Sequence, residues 1–200
     1  MGFAHKDGAD DAISPVILDL FMATRKTSPF VLSNTVRLSA RDVAGTAAID
    51  LGSYVDVSSK TGLAVHSVDA VFQIWDTSTN TLVEPNALAA GSWWVMGQVF
   101  DQTRDELQIA NDNSLVGSAA LEYNGAWETS YSDDVYPDSY PTPGRLTISP
   151  QLSLVARAAS TAVFTANHEL YVTFRITGEL VKLSEKDWMG IAIQGQALNS

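Results

Sequence analysis

The chain has 200 residues, a net charge of −11, no cysteine, and three histidines, His5, His66 and His168, far apart in sequence. These figures exclude a disulfide scaffold, and a surface so poor in Lys and Arg repels nucleic-acid phosphates. The length suits one domain, and no stretch approaches the roughly 20 apolar residues of a membrane span. The acidity reads either as solubility or as adaptation to high salt, where a Debye length of about 3 Å at 1 M lets dense like charge be tolerated.

Residues 1–13 are small and polar and read as an arm. Asp7, Asp10 and Asp11 stand where a secretory leader needs positive charge, and Lys6 breaks the acylation pattern begun by Met1-Gly2. The start therefore predicts neither a classical leader nor a lipid anchor. Ser14-Pro15 is a helix-start signal, and a short apolar helix is predicted from Pro15 to Thr24. It is apolar on several faces, so this domain or a neighbouring subunit must cover it.

From Phe30 the period changes to two. Phe30, Leu32, Val36 and Leu38 share a face; Ile49, Leu51, Val55 and Val57 predict a second strand, and a turn follows at Ser58–Gly62. Val68, Ala70, Phe72 and Ile74 alternate with Ser67, Asp69, Val71 and Gln73, the pattern of a half-buried antiparallel strand. Trp93–Phe100 is apolar on both faces and needs cover on both sides or a partner. Leu115–Tyr123 is a further strand. Leu146–Arg157 is another, interrupted at Pro150, which cannot donate in a ladder. Ala162–Ala166 is a short strand. Leu170, Val172, Phe174 and Ile176 make the clearest alternation, followed by a bulge at Gly178 and continuation to Leu183. Ser184 through Asp187 resembles a helix start with Trp188, Ile191 and Ala192 facing inward; a last strand is the rival reading.

Strands without intervening helices exclude a βαβ layout. The prediction is an all-β, antiparallel two-sheet sandwich, a single jelly roll with short helices near both termini. Its parts are an arm with a helix (1–29), the sandwich (30–183) and a C-terminal helix or strand with a tail (184–200).

Candidate chemistry is sparse. The segment from Glu128 to Gly144 interleaves Tyr131, Tyr136 and Tyr140 with acids and prolines, and tyrosine offers large amphipathic contact area at low entropy cost. Asp133, Asp134 and Asp138 supply hard oxygen ligands for calcium, without EF-hand spacing. Asn111-Asp112-Asn113 lacks the glycine and distal Glu of a calcium loop and reads as a turn. Asp101 with Asp105 and Glu106 is a carboxylate cluster of a common kind. His66 and His168 have no second ligand nearby in sequence and read as structural. Ser114 and Ser118 lie in no nucleophile elbow, and no phosphate-binding glycine loop exists. Trp75, Trp93, Trp94, Trp127 and Trp188 suit packing better than sugar stacking. Neither catalysis nor a cofactor is predicted.

Strand content, terminal helices and missing reaction chemistry together resemble the single jelly-roll capsid proteins of icosahedral viruses. The acidic, Lys-poor, Cys-free character looks like subunits of membrane-containing viruses of halophilic archaea. The resemblance spans about Phe30 to Leu183 and transfers no functional residue. It implies a shell subunit of a virion that contacts copies of itself and other capsid proteins; the apolar and aromatic residues Phe21, Met22, Trp93, Trp94, Tyr136 and Tyr140 are this sequence's own contact candidates. Residues 1–13 hold one Lys and three Asp, so direct genome binding is not expected; an inner membrane or another protein would lie between. The alternatives are a lectin-like or spike module using the Tyr131–Tyr140 loop, and an enzyme on a jelly roll, which needs a concave cluster of acids.

Overall fold

The clearest alternations in the sequence become the longest strands of a computed structural model that describes residues 24–125, 129–132 and 144–197. Its elements are β1 (Thr24–Arg25), β2 (Phe30–Leu38), β3 (Ala44–Asp50), β4 (Thr61–Asp76), β5 (Thr81–Val83), β6 (Trp93–Phe100), β7 (Leu115–Tyr123), β8 (Thr129–Ser132), β9 (Arg145–Thr147), β10 (Gln151–Ser160), β11 (His168–Lys182) and α1 (Glu185–Ala197). One sheet is built on β11, which pairs with β4 along one edge and with β2 and β1 along the other; β5 and β9 both add to the far edge of β4. The second sheet has the order β3-β10-β6-β7-β8. Number β2, β3, β4, β6, β7, β9, β10 and β11 one to eight. The sheets then read 1-8-3-6 and 2-7-4-5, the paired Greek keys of a jelly roll. All pairs are antiparallel, and the two inner faces close over a shared core that includes Val36, Ile74, Trp93, Val95, Leu154, Leu170, Val172 and Phe174.

The bulge expected at Gly178 is present, and its extra residue lies on the facing strand. Thr177 pairs with Ser67 but Gly178 pairs with Val65, which leaves His66 over. On β4 the inward residues therefore switch from odd (Leu63, Val65) to even (Val68, Ala70, Ile74). Gly178 is required there, because a Cβ would sit 2.7 Å from the Ala64 carbonyl oxygen. Close sheet packing makes a similar demand at Gly97, whose Cβ would fall 2.6 Å from Cζ of Phe174.

Several expectations are corrected. The second strand stops at Asp50: the amides of Tyr54 and Val55 both donate to Leu51 O at 2.8 Å, a helical turn, and Val57 is exposed. Thr61 and Gly62 belong to β4 instead of the turn. Pro150 divides two strands in different sheets, β9 and β10, so the chain crosses the sandwich there. Ala162–Ala166 contributes only a single bridge, Phe164 to Ala89. The sheet also begins before Phe30, since β1 pairs Thr24 with Lys182. At the C-terminus the helix wins over the strand. Ser184 Oγ accepts the Asp187 amide at 3.2 Å and donates to its carboxylate at 2.6 Å, while Trp188 and Ile191 pack on Ala64, Val181 and Leu183. Thr24, the last residue of the predicted N-terminal helix, is in β1 instead, and the rest of that helix lies outside the described residues.

Two hairpins of matching chemistry bound β4. Asp56-Val57-Ser58-Ser59-Lys60-Thr61 and Asp76-Thr77-Ser78-Thr79-Asn80-Thr81 each pair their first and last residues across the turn. In each, the aspartate accepts from the backbone and hydroxyl of the serine two positions on, and the fifth residue takes positive φ, 53° at Lys60 and 57° at Asn80. The Ser78 hydroxyl and amide draw the Asp76 carboxyl down to about 2. A depressed folded value means this contribution is present above the unfolded value of about 3.9 and is lost only as pH falls through about 2. A carboxyl NMR titration should show Asp76 at about 2 and, in Ser78→Ala, a move toward the ordinary aspartate value.

Candidate interaction surface

The outer face of the second sheet explains why β6 is apolar on both sides. One end is sealed by the β6–β7 connection, residues 101–114. Gln98 points outward and clasps this segment: its amide donates to Gln108 O at 2.8 Å and its oxygen accepts the Gln108 amide at 2.7 Å. Ser153 on β10 does the same for Arg104, donating to its carbonyl at 3.0 Å and accepting its amide at 3.3 Å. Beneath this polar clasp, Phe100, Leu115 and Val155 form a small satellite core with Leu107 and Ala44.

Ion pairs fix the ends of the same segment. Arg145, from β9, donates to Asp101 at 2.8 Å and to the Asn113 carbonyl. Burial pushes the Asp101 carboxyl up, and the facing guanidinium partly offsets this. Arg104 donates to Asp112 at 3.1 Å. Burial pushes Asp112 up as well, but hydrogen bonds from Ser114 and Arg104 outweigh it and hold the carboxyl below its usual range. Within the cluster of Asp101, Asp105 and Glu106, Asp101 is bound by Arg145, and Glu106 faces Arg157 at 3.9 Å. Asn111-Asp112-Asn113 is the expected turn, closed by the Ser114 amide on Asp112 at 2.7 Å.

Beyond the clasp the outer face stays open. Trp94 pairs across the ladders with Ala159 and Glu122, and Met96 pairs with Arg157 and Ala120. Outward-pointing Trp94, Met96, Ala120 and Ala159 therefore make an apolar patch rimmed by Glu122 and Arg157. Trp94 is 42 % exposed, whereas Trp93 is 2 % exposed. Trp93 is corrected from contact candidate to core residue. Successive side chains on a strand point to opposite faces, and its ring stacks on Tyr123 at 5.8 Å while its indole N–H donates to Pro85 O at 3.0 Å.

The outer face of the first sheet carries polar pairs between β2 and β11. Arg37 donates to both oxygens of Glu169, 2.6 Å for the Nε bond, and Tyr171 adds its hydroxyl at 2.8 Å. The bond from Arg37 chiefly holds the Glu169 carboxyl below its usual range, against an opposing effect of burial. Thr35 and Thr173 are hydrogen-bonded across the ladder at 2.9 Å. At the other end Glu179 is buried between Arg25, at 2.5 Å, and His66, at 3.5 Å. His168 Nδ1 lies 3.0 Å from the Ala166 carbonyl. Among the described residues no group of three His, Cys, Asp or Glu can hold a metal ion. Phe21, Met22, Trp127, Tyr136, Tyr140, Asp133, Asp134 and Asp138 lie outside the described residues. The loop that carries the last five leaves from edge strand β8, which includes Tyr131, and returns at β9 in the opposite sheet.

No protein-family model and no curated protein matches the sequence. Solved structures do. VP1 of Merkel cell polyomavirus, as an unassembled pentamer, matches at 6 % identity with a TM-score of 0.50, over 80 % of this chain and 97 % of that one. VP1 of Trichodysplasia spinulosa-associated polyomavirus, in complex with 3'-sialyllactose, matches at 9 % identity and a TM-score of 0.49, over 81 % and 97 % of the two chains. The unassembled VP1 pentamer of KI polyomavirus matches at 10 % identity and 0.43, over 82 % and 100 %. What is shared at such identities is the fold. This chain is a jelly-roll β-sandwich similar to that of the Merkel cell polyomavirus VP1.

The adjacent tryptophans separate core from surface experimentally. In urea denaturation, Trp93→Ala should cost about 3–5 kcal/mol, and Trp94→Ala should stay within about 0.5 kcal/mol. Arg37→Ala should lower the urea midpoint at pH 7 by leaving Glu169 without its cation. Because the Glu169 value is depressed in the folded state, the gap to the unmodified protein should close as pH falls through the ordinary glutamate value of about 4.3 and below.

Proposed function

We propose that this chain is a structural subunit of a viral capsid, building a shell by repeated lateral contacts with copies of itself and with other capsid proteins. The observation that carries the reading is the complete jelly-roll strand order, in a fold similar to that of a VP1 solved as an unassembled pentamer. The described polar groups support it, because their carboxylates are spent on structural partners: Glu169 on Arg37, Asp101 on Arg145, Asp112 on Arg104 and Glu179 on Arg25. The chain's work in this reading is geometric rather than catalytic.

The lateral contact is assigned to the open end of the second sheet, around Trp94 and Met96, with Phe21, Met22, Tyr136 and Tyr140 as further contact candidates. A stable interface needs roughly 800 Å² per partner, so a single tryptophan patch must be enlarged by neighbouring segments. Within the class, the acidic, Lys-poor and Cys-free composition supports a shell that operates at high salt, as in the membrane-containing viruses of halophilic archaea. The arm, with one Lys against three Asp in residues 1–13, supports a subunit that leaves the genome to another layer. No helix among the described residues is long and apolar enough to cross a membrane.

Sedimentation velocity and electron microscopy of the purified chain across protein and salt concentration test the reading. Regular oligomers or closed particles are expected, favoured by salt, and Trp94→Glu should leave monomers with an unchanged circular dichroism spectrum. A protein that stays monomeric under every condition and binds a glycan array through the Tyr131–Tyr140 segment would instead be a decoration module.

A further inference from the structure

Helix α1 is apolar on two sides, and the sandwich uses only one. Trp188 and Ile191 face the sheet and pack on Ala64, Val181, Leu183, Leu146 and Ile148. On the opposite side Met189, Gly190 and Ile193 follow one another at helical spacing and are exposed, Met189 to 55 % and Ile193 to 65 %. A Cβ added at Gly190 would meet nothing within 4 Å, so this side offers an open notch between two large apolar side chains. A surface helix of a globular domain normally keeps such a side polar.

We infer that this outer stripe is the seat of the chain's own apolar segment, residues 16–23. Strand direction supplies the first argument. β1 is antiparallel to β11, with Arg25 opposite Val181 and Thr24 opposite Lys182. Followed toward the N-terminus, the chain passes the end of β11 in the direction of Ser184 and the start of α1. The root of that segment is held firmly: the Lys26 amide donates to Leu180 O at 2.8 Å, the Lys26 ammonium to Thr61 at 2.7 Å, and Arg25 pairs with buried Glu179.

Length and charge agree. From Glu185 to Ile193 the helix rises about 12 Å at 1.5 Å per residue. Eight extended residues reach about 26 Å, and the same eight as a helix reach about 12 Å, so either form spans the stripe. Val16, Ile17, Leu18, Leu20, Phe21 and Met22 bring the apolar surface that the stripe lacks. Asp19, with Asp7, Asp10 and Asp11 further out, brings negative charge to exposed Lys182, just before α1, and to exposed Lys186 in its first turn. This assignment does not need the capsid reading, and it takes Phe21 and Met22 out of the lateral contact, which then falls to the Trp94 patch with Tyr136 and Tyr140.

The absence of cysteine makes a direct test possible. Double variants Phe21→Cys with Ile193→Cys, and Leu18→Cys with Met189→Cys, are oxidised in dilute solution and run on non-reducing gels. A control pairs Phe21→Cys with Val163→Cys, an exposed site just before the opposite end of β11. An intrachain disulfide in at least one α1 pair, and none in the control, is the expected result. Disulfide-linked dimers that grow with protein concentration would place the segment on another copy and overturn the assignment; so would no bond in either α1 pair. Hydrogen exchange gives a second reading. Ile193→Asp should speed exchange at residues 16–23 by at least about tenfold while β4 and β11 stay protected. Unchanged exchange at 16–23 in a folded variant overturns the assignment, and if that variant fails to fold the cysteine pairs decide.

Discussion

Strand β11 imposes the constraint from which the rest of the molecule follows. It is hydrogen-bonded on both edges, to β4 along its whole length and to β2 and then β1 on the other side. Leu170, Val172, Phe174 and Ile176 point into the sandwich without exception, and all four are fully buried. A partner as long as β4 must keep matching that face while the sheet twists, and a strict period of two fixes which residues can do so. The extra residue at His66 resolves the conflict by changing parity on β4. Its second consequence lies on the opposite face. Beyond the bulge Ala64 turns outward beside Val181 and Leu183, and these three make the floor on which α1 lands. One irregularity therefore sets both the core register and the docking of the terminal helix.

The sequence was legible wherever one face of a strand meets the core and the other meets water. β2, β11 and the later half of β4 are of this kind, and their inward residues follow from alternation alone. It misled where alternation continues through a turn by coincidence. Leu51 and Val55 keep the beat of β3, yet the backbone there coils on the Leu51 carbonyl, and the Asp56 hairpin carries Val57 into solvent. The signal that could have corrected this is the Asp-x-Ser-x-x-Thr spacing at Asp56, repeated at Asp76. Pro150 was recognisable as a break, but no local pattern says that β9 and β10 lie in different sheets, because that depends on partners far away in the chain.

The surface was harder to read for a related reason. Cover over β6 was demanded by its two-sided apolar pattern, but the cover is a polar connection held by Gln98 and Ser153 through backbone groups, and side-chain type does not reveal which backbone a glutamine will clasp. Treating Trp93 and Trp94 together as contact residues ignored the strand's own geometry: adjacent residues cannot both face outward. Period two, already used to find the strand, was enough to assign one to the core and one to the surface. The hydrogen bond from the Trp93 indole to Pro85 shows how the core accommodates the polar atom of a buried tryptophan.

Charge links the fold to the lateral contact proposed above. The formal charge of −11 is carried by a chain with 12 Lys and Arg, and several of these are internal counterions. Arg37, Arg104 and Arg145 are bound to Glu169, Asp112 and Asp101, and Arg25 to Glu179. Lys26, Lys60, Lys182 and Lys186 gather where β1, the Asp56 hairpin and α1 come together. Two chains of this net charge repel over a Debye length, about 8 Å at physiological ionic strength and about 3 Å at 1 M. The Trp94 patch is apolar and short-ranged, and burial of its aromatic and aliphatic surface does not weaken with salt. Salt therefore removes the opposing force and leaves the attractive one. On the capsid reading proposed above, association of an acidic jelly roll through a local apolar patch would be set by its medium, through a balance written into where its few cations are spent.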